Sequence, residues 1–422
     1  MSEKKITAPK GTHDVLPGDV HIWQALEREM HKTCKEYGYK QIRFPVFEHT
    51  ELFNRGVGDT TDVVQKEMYT FLDKGDRSIT LRPEGTASTV RSYIENNLSQ
   101  GPAPVKLFYI ISCYRYERPQ AGRFREFNQF GIENFGSASA STDAEVISLA
   151  MLLLKRLGVE GLTLYINSIG CPDCRKKYNE TLKAFLHERE EKLCDLCRDR
   201  MDRNPLRVLD CKNPDCQEVL KDVPSVDSVL CDDCVKHFED LKKNLSAIGI
   251  PYEVDTSLVR GLDYYTRTVF EIKSGDLGAQ STVCGGGRYD GLVAQLGGTP
   301  TPGIGFSLGM ERLISILEKQ QKLPECDNSC EIYIGSMGEK AADAAFKCVY
   351  ALRENGISAE FDHLSKSVKA QMKYADKIGA KYSVIIGDDE LEKGVANLKN
   401  MQTGETAEVS ISDLLEGKFN SF

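Results

Sequence analysis

The chain has 422 residues, 41% of them hydrophobic and 28% charged, enough for two or three soluble domains with buried cores. Its longest wholly apolar run, Leu149 to Leu154, is far too short to span a bilayer, and the opening Met1-Ser-Glu-Lys-Lys carries no apolar signal segment, so a cytoplasmic protein with no membrane partner is expected. A net charge of −9 argues against bulk attraction to nucleic acid, so any such partner must be met by local basic patches.

Taken in chain order, Asp19 is positioned to cap a helix running to about Tyr37, with Leu26 and Met30 on one face. Short strands are predicted at 40–47, 68–72 and 78–82, then a hairpin of 106–116 and 126–135. Val146, Leu149, Ala150, Leu153 and Leu154 share a face of a helix from Thr142 to Leu157. A strand at 161–167 leads into a cysteine-rich region, and strands at 266–272, 281–284 and 301–306 follow, the last entering a helix from Leu308 to Lys319. These strands do not alternate with helices as βαβ units do, which points to a mostly antiparallel sheet flanked by helices. The polar stretch Lys319 to Ser329, with Pro324, reads as a linker. Beyond it, strand 331–335, helix 339–355, strand 357–361, helix 365–378 and strand 382–386 form a small α/β domain.

The hairpin tip is the first chemical signal. Arg115, Arg118, Arg123 and Arg125 fall close together around the loop Pro119-Gln-Ala-Gly122, with Glu117 and Glu126 among them. Guanidinium forks match phosphate oxygens, so this loop suits a polyphosphate; a solvated basic turn is the plainer alternative. The second signal is cysteine. Eight of the fourteen lie between Cys171 and Cys234, which in a cytosolic protein suggests metal before disulfides. Cys171-Pro-Asp-Cys174 and Cys231-Asp-Asp-Cys234 flank an insertion of about 171–245 and are expected to form one zinc site. Cys194, Cys197, Cys211 and Cys216 would form a second, less regular one. Reduced cysteines in a helical module are the alternative.

Several motifs together resemble one family. Arg115, Glu117 and Phe127 resemble motif 2 of the class II aminoacyl-tRNA synthetases, Arg43-Phe-Pro-Val-Phe-Glu48 motif 1, and Gly303-Ile-Gly-Phe-Ser-Leu-Gly-Met-Glu-Arg312 motif 3. Leu258-Val-Arg-Gly-Leu-Asp-Tyr-Tyr265 and Cys284-Gly-Gly-Gly-Arg-Tyr-Asp290 are similar to the two signature segments of histidyl-tRNA synthetases. Lys10-Gly-Thr-His-Asp-Val-Leu-Pro17 and Leu81-Arg-Pro-Glu-Gly-Thr86 also match, and the motifs occur in family order. The resemblance implies an α+β class II catalytic domain over 1–325, interrupted by the mostly helical 171–245 insertion, and an α/β anticodon-binding domain over 329–422. It implies a homodimer with motif 1 at the interface, ATP with Mg2+ and L-histidine as substrates, and tRNA(His) as partner.

The resemblance also implies roles. Arg115 and Arg312 clamp ATP phosphates, with Arg123 beside them; Phe127 stacks on adenine, and Glu117 accepts from its amino group. Arg260 bridges the α-phosphate and the substrate carboxylate. Glu133 and Tyr265 read the imidazole, with Tyr264 alongside; Glu84, Thr86 and Gln129 hold the α-amino group. Gly285, Gly286 and Gly287 admit the substrate to the backbone. Arg118 and Gln120 reach the tRNA acceptor end. In the C-terminal domain, Lys366, Lys369, Lys373 and Lys377 lie along one helix face, where they serve either as phosphate contacts or as a solvated stripe. Two rivals remain. A synthetase-like regulatory subunit of ATP phosphoribosyltransferase binds histidine without charging tRNA, but its kind lacks the second signature segment, the anticodon domain, or both. A zinc-ribbon nucleic-acid-binding protein explains the cysteines but neither the arginine hairpin nor motif 3.

Overall fold

A computed structural model describes residues 5–58, 61–120, 122–276, 282–325 and 330–418. Ala121, Ser281 and residues 326–329, which the loop, strand and linker expectations include, lie outside that set. The chain divides into two units between Pro324 and Glu325.

The first unit opens with α1 (Val20–Glu36), β1 (Lys40–Gln41), β2 (Phe47–His49), α2 (Thr50–Val57), β3 (Thr70–Leu72), β4 (Ser78–Leu81) and α3 (Thr86–Glu95). The hairpin β5 (Val105–Tyr114) and β6 (Glu126–Phe135) follows, then α4 (Ala140–Arg156) and β7 (Leu162–Ser168). The inserted helices are α5 (Pro172–His187), α6 (Asp195–Arg203), α7 (Pro214–Leu220) and α8 (Asp232–Ala247). The unit closes with β8 (Glu253–Val254), β9 (Thr266–Ser274), β10 (Thr282–Arg288), α9 (Leu292–Gln295), β11 (Gly303–Gly309) and α10 (Met310–Lys319). Eight strands form one sheet in the order β1-β5-β6-β11-β10-β9-β7-β8, antiparallel except at its two edges. The expected fold class holds: a mainly antiparallel sheet with flanking helices and a separate α/β unit.

Strand alternation decides where chemistry can sit. On β6, Phe130 and Ile132 face the core shared with Leu26 and Met30 of α1 and with α4 and α10, while Gln129, Gly131 and Glu133 face the other side. On β11, Ile304, Phe306 and Leu308 enter the same core, leaving Gly303, Gly305, Ser307 and Gly309 on the opposite face. On β11 that face therefore carries no side chain but that of Ser307 and leaves room for groups from neighbouring strands.

Three local expectations change. Residues 40–47 do not form one strand: Pro45 has no N–H to give a ladder, so the chain breaks there, and β1 and β2 join different sheets. Asp19 precedes α1 without a side-chain capping bond. The strand expected to end at Cys284 runs on through Gly285, Gly286 and Gly287 to Arg288.

The insertion has its own core of Tyr178, Leu182, Phe185, Leu186, Met201 and Val208. Its last helix differs, since Phe238, Leu241 and Leu245 of α8 pack into the core of the main sheet.

The second unit holds β12 (Ile332–Ser336), α11 (Glu339–Glu354), β13 (Ala359–Phe361), α12 (Val368–Lys377), β14 (Tyr382–Ile386), α13 (Asp388–Lys393), β15 (Val395–Asn400), β16 (Thr406–Ser410) and α14 (Ile411–Leu415). Its strand order is β13-β12-β14-β15-β16, the first three parallel and the rest antiparallel.

Candidate active site

One cleft of about 1240 Å³ opens on the glycine-bearing face of the large sheet. Arg115, Glu117, Arg123, Phe127, Gln129, Arg260 and Arg312 all line it, although the first and last are 197 positions apart. Leu209, Asp210, Lys212, Gln217 and Lys221 of the insertion line it as well.

At one end, three guanidinium groups converge. Arg115 leaves the end of β5, donates to the Pro83 carbonyl at 2.8 Å and stands over the Phe127 ring at 5.3 Å. Arg123 lies 3.0 Å from Glu117, and Arg312 donates to the Thr282 carbonyl at 2.9 Å. Burial, and then repulsion from Arg123 and Arg115, hold Arg312 below the ordinary arginine value. Three cations clustered in this way, with Glu117 as the acid among them, form a site for a polyanion. The other two hairpin arginines differ. Arg125 stacks on Tyr116 at 3.9 Å and its amide donates to the Gly11 carbonyl, so it holds the loop. Arg118 and Gln120 are exposed at the tip, where Gln120 and Arg123 exchange backbone bonds.

Arg260 enters from the other side. It does not pair with Asp263, three positions of chain away in the same loop; its guanidinium pairs with Glu271 of β9 and packs on Gly285, where any Cβ would overlap it. Glu271 is held in turn by the Thr282 hydroxyl at 3.0 Å. Asp263 is instead bound by Asn204 at 2.9 Å, with Arg207 at 3.5 Å, both from the insertion.

Behind this cleft lies a buried polar cluster. The Glu133 carboxylate accepts from Thr86 at 2.7 Å, from Tyr109 at 3.1 Å and from the Tyr289 hydroxyl. Burial pushes Glu133 up to about 8, against the hydrogen bonds of those hydroxyls. Both Glu84 oxygens accept amides of the first turn of α3, Thr86 and Ala87, at 2.7 Å. Gln129 accepts from the Gly85 amide and donates to Ser307, each at 3.1 Å. Tyr264 and Tyr265 are buried against each other with ring centroids 4.7 Å apart, and Tyr264 meets Tyr289 at 5.7 Å. Glu84, Thr86, Glu133, Tyr264 and Tyr265 thus form the deep part of the site rather than the cleft wall. Of the three glycines, only Gly285 reaches the cleft; a Cβ on Gly286 would strike Gly305 and Phe306, and one on Gly287 would strike Thr268.

Sequence reasoning missed Tyr109, Tyr289, Asp143 and Glu271. Tyr109 had a signal: it pairs with Gly131 across the hairpin, and a Cβ at Gly131 or Gly85 would overlap its ring. Asp143 is fully buried and binds Arg288 at 2.5 Å, His237 at 2.8 Å and Thr268 at 2.6 Å. Its burial alone acts upward, but His237 and Arg288 outweigh it and hold Asp143 below the ordinary carboxylate value.

The eight insertion cysteines gather into two tetrads, Cys171, Cys174, Cys231 and Cys234, and Cys194, Cys197, Cys211 and Cys216, each with all sulfurs within 4.8 Å of one another. Sulfur separations are 3.6 Å for Cys171–Cys174, 4.0 Å for Cys174–Cys234 and 3.9 Å for Cys194–Cys211. The edge of a tetrahedron with zinc–sulfur bonds of about 2.3 Å is about 3.8 Å. Backbone amides point at the sulfurs, Cys171 to Cys234 at 3.2 Å, Cys231 to Cys174 at 3.1 Å and Cys194 to Cys216 at 3.2 Å, as thiolate ligands require. At Cys171 burial works upward, yet donors from Cys174, Asp173 and Cys234 bring the thiol down to about 7.

Comparison with known proteins bears on this geometry. Residues 11–313 match the family model "Histidyl-tRNA synthetase" and residues 331–417 match "Anticodon binding domain". The chain is 58% identical over 409 residues to a histidine–tRNA ligase of Acetivibrio thermocellus, covering 97% of this chain and 98% of that protein. It is 55% identical over 412 residues to one of Clostridium novyi, with 97% and 98% covered. Among solved structures, apo histidyl-tRNA synthetase of S. aureus superposes with a TM-score of 0.84 at 40% identity, covering 98% of this chain and 99% of that one. A Bacillus halodurans protein titled as an ATP phosphoribosyltransferase regulatory subunit/histidyl-tRNA synthetase shares the fold at 22% identity and a TM-score of 0.65, over 92% of this chain and 99% of that one.

Proposed function

The chain belongs to the histidyl-tRNA synthetase family, an ATP-dependent histidine–tRNA ligase of class II, and from that premise we propose how its residues divide the reaction. The observation that carries the proposal is the single cleft with three guanidiniums at one end, Arg260 at the other and a buried carboxylate cluster behind.

Arg115, Arg123 and Arg312 hold the ATP phosphates, with Mg2+ sharing their charge, while Phe127 and Glu117 meet the adenine. Histidine lies deeper. Glu133 and Tyr265 take the imidazole, with Tyr264 packed beside them and Gly286 supplying backbone. Glu84, Thr86 and Gln129 take the α-amino group. Arg260 faces both substrates. A carboxylate oxygen of histidine attacks the α-phosphorus, the bond to the β-phosphate oxygen breaks, and pyrophosphate leaves. No proton moves in that step, so positioning and charge stabilisation do the catalysis. A ribose hydroxyl of the terminal tRNA adenosine then attacks the carbonyl of the mixed anhydride; the bond from that carbon to the phosphate oxygen breaks, AMP leaves, and the hydroxyl proton goes to the departing phosphate or to solvent. The exposed Arg118 and Gln120 suit contact with the acceptor end, and exposed Lys369, Lys373 and Lys377 of α12, with Lys366 just before it, suit the anticodon arm. The test is histidine-dependent ATP–pyrophosphate exchange. Arg312→Ala should raise the ATP requirement at least about tenfold, one charged contact's worth, and spare histidine binding. An unchanged ATP requirement removes Arg312 from the phosphate site.

We also propose that each cysteine tetrad holds a structural zinc ion, closed by four thiolates and taking no part in chemistry. The sulfur spacing and the inward amides support it. Protein purified without chelator should carry about two zinc ions per chain, one per four ligands; metal-free protein of unchanged thermal stability overturns the assignment. A homodimer is proposed on the sheet β2-β4-β3, which leaves Phe47 56% and Phe71 48% exposed on one face. Among the described residues no helix is long and apolar enough to cross a membrane; the cytoplasm, where tRNA is charged, is the proposed location.

A further inference from the structure

The outer tetrad joins the first turns of two helices, α5 and α8, and each helix sends one side chain to a signature segment of the activation site. From α5, Arg175 directly follows the ligand position Cys174. Its Nη1 donates to the carbonyl oxygens of Asp263, at 3.3 Å, and Tyr265, at 2.5 Å. Those carbonyls bracket Tyr264 and close the loop that starts at Arg260. From α8, His237 lies one turn beyond Cys234, and its Nε2 is 2.8 Å from Asp143. Asp143 in turn holds the fully buried Arg288, the residue after the three glycines. The chain entering the tetrad is tied to the same place: Gly170 accepts from the Arg267 amide, and Ile169 donates to the Arg267 carbonyl, both at 2.8 Å.

A guanidinium bridging two main-chain carbonyls fixes the backbone between them, because its donors are planar and rigid. Arg175 can do this only if the first turn of α5 is itself fixed. Four thiolates on one ion would make that turn and the first turn of α8 a single rigid joint.

We propose that Arg175 is a positioning residue for histidine: it carries the constraint of the outer tetrad to the Asp263–Tyr265 backbone, and thereby sets Tyr265 and Arg260. The metal half of this rests on the zinc reading above; the contact of Arg175 with the two carbonyls does not.

The test separates the two halves. Arg175→Met keeps the aliphatic bulk and removes the donors. Histidine affinity, read by calorimetry without ATP, should weaken about tenfold, on the order of one charge-assisted hydrogen bond. Zinc content should be unchanged and the ATP requirement should stay within about twofold, a split that general loosening of the fold does not give. Arg175→Lys, with one donor group restored, should fall between the two and serves if the methionine variant does not fold. Unchanged histidine affinity in either folded variant overturns the positioning role. Cys231→Ser should cost one zinc ion and weaken histidine by the same factor as Arg175→Met. The double variant should be no weaker than either single one. Additive losses overturn the coupling and leave Arg175 acting alone. A wild-type protein that binds no zinc overturns the metal reading and the coupling together, while the Arg175→Met affinity still decides the positioning role.

Discussion

If Glu133 takes the imidazole as proposed, histidine binding is linked to proton release. In the folded protein Glu133 is pushed from 4.5 up to about 8 by burial. With that value, roughly a tenth of Glu133 is ionised at pH 7, and about half at pH 8. In the proposed pose a neutral imidazole donates its N–H to the ionised carboxylate, so histidine should select the minor form and drive off most of one proton. Apparent affinity is reduced by the competent fraction, about elevenfold at pH 7 and twofold at pH 8, so histidine should bind about fivefold tighter at pH 8 than at pH 7. This window lies above the imidazole's own titration near 6.5, whose effect is small there. Calorimetry in two buffers of different ionisation enthalpy counts the released proton directly. Glu133→Gln should bind about ten- to a hundredfold more weakly, the loss of a charged acceptor, and should show no proton release. The folded value is above the unfolded one, so the associated stability is full below about 4.5 and is lost as pH rises through about 8; the Gln variant should lack that slope in its melting temperature. A wild-type affinity that is flat from pH 7 to 8 with no proton released, or an equal slope in the variant, would refute the reasoning.

Three further outcomes are expected. Arg260→Ala should fold and bind histidine, yet slow adenylate formation at least about a hundredfold, the scale of one preorganised charge contact; rapid-quench rates within a few-fold of wild type would remove it from the reacting centre. Asp143→Asn removes the fully buried one of the two carboxylates that pair with Arg288, leaving Asp290 at 2.9 Å, and should cost about 3 kcal/mol in chemical denaturation. Phe47→Asp places a charge on the exposed face shared with Phe71 and should yield monomers in sedimentation at micromolar concentration, where the wild type should sediment as the proposed dimer; an unchanged assembly would place the interface elsewhere.

What was legible in the sequence was local. The hairpin reads from its alternation, and β5 and β6 pair across their whole length, Val105 with Phe135 to Tyr114 with Glu126. The cysteine pairings read from spacing, because each C-x-x-C falls on the first turn of a helix, where two thiols project to one side. What was not legible depends on partners far along the chain. A run of three glycines looks like a turn, and only distant residues show that a Cβ has no room there: Arg260 at Gly285, strand β11 at Gly286 and strand β9 at Gly287. Asp143 looks like an acidic residue at a helix start; its burial depends on Arg288, 145 positions later. Arg260 beside Asp263 suggests a local pair, but Asp263 is claimed by Asn204 and Arg207, which turns Arg260 towards Glu271.

The same logic explains why β11 gives the cleft face so few side chains. A strand in this sheet must give every second residue to the core, and β11 does so with Ile304, Phe306 and Leu308. Its other residues are three glycines and a serine, and each absence is filled from elsewhere: a Cβ at Gly303 would strike the Tyr289 ring, and one at Gly305 the Glu133 carboxylate. Tyr109 fills the space over Gly85 and Gly131 in the same way. Glu133 therefore sits among three hydroxyls in a cavity carved by omission, with no water-facing wall to lower its pKa. Enlarging any of these glycines should abolish histidine binding before it touches the arginine end of the cleft. Gly305→Ala is the sharpest case, because its methyl would occupy the position of the carboxylate itself. Histidine affinity should collapse while ATP still binds; joint loss of both would show that the two ends of the cleft are not built independently.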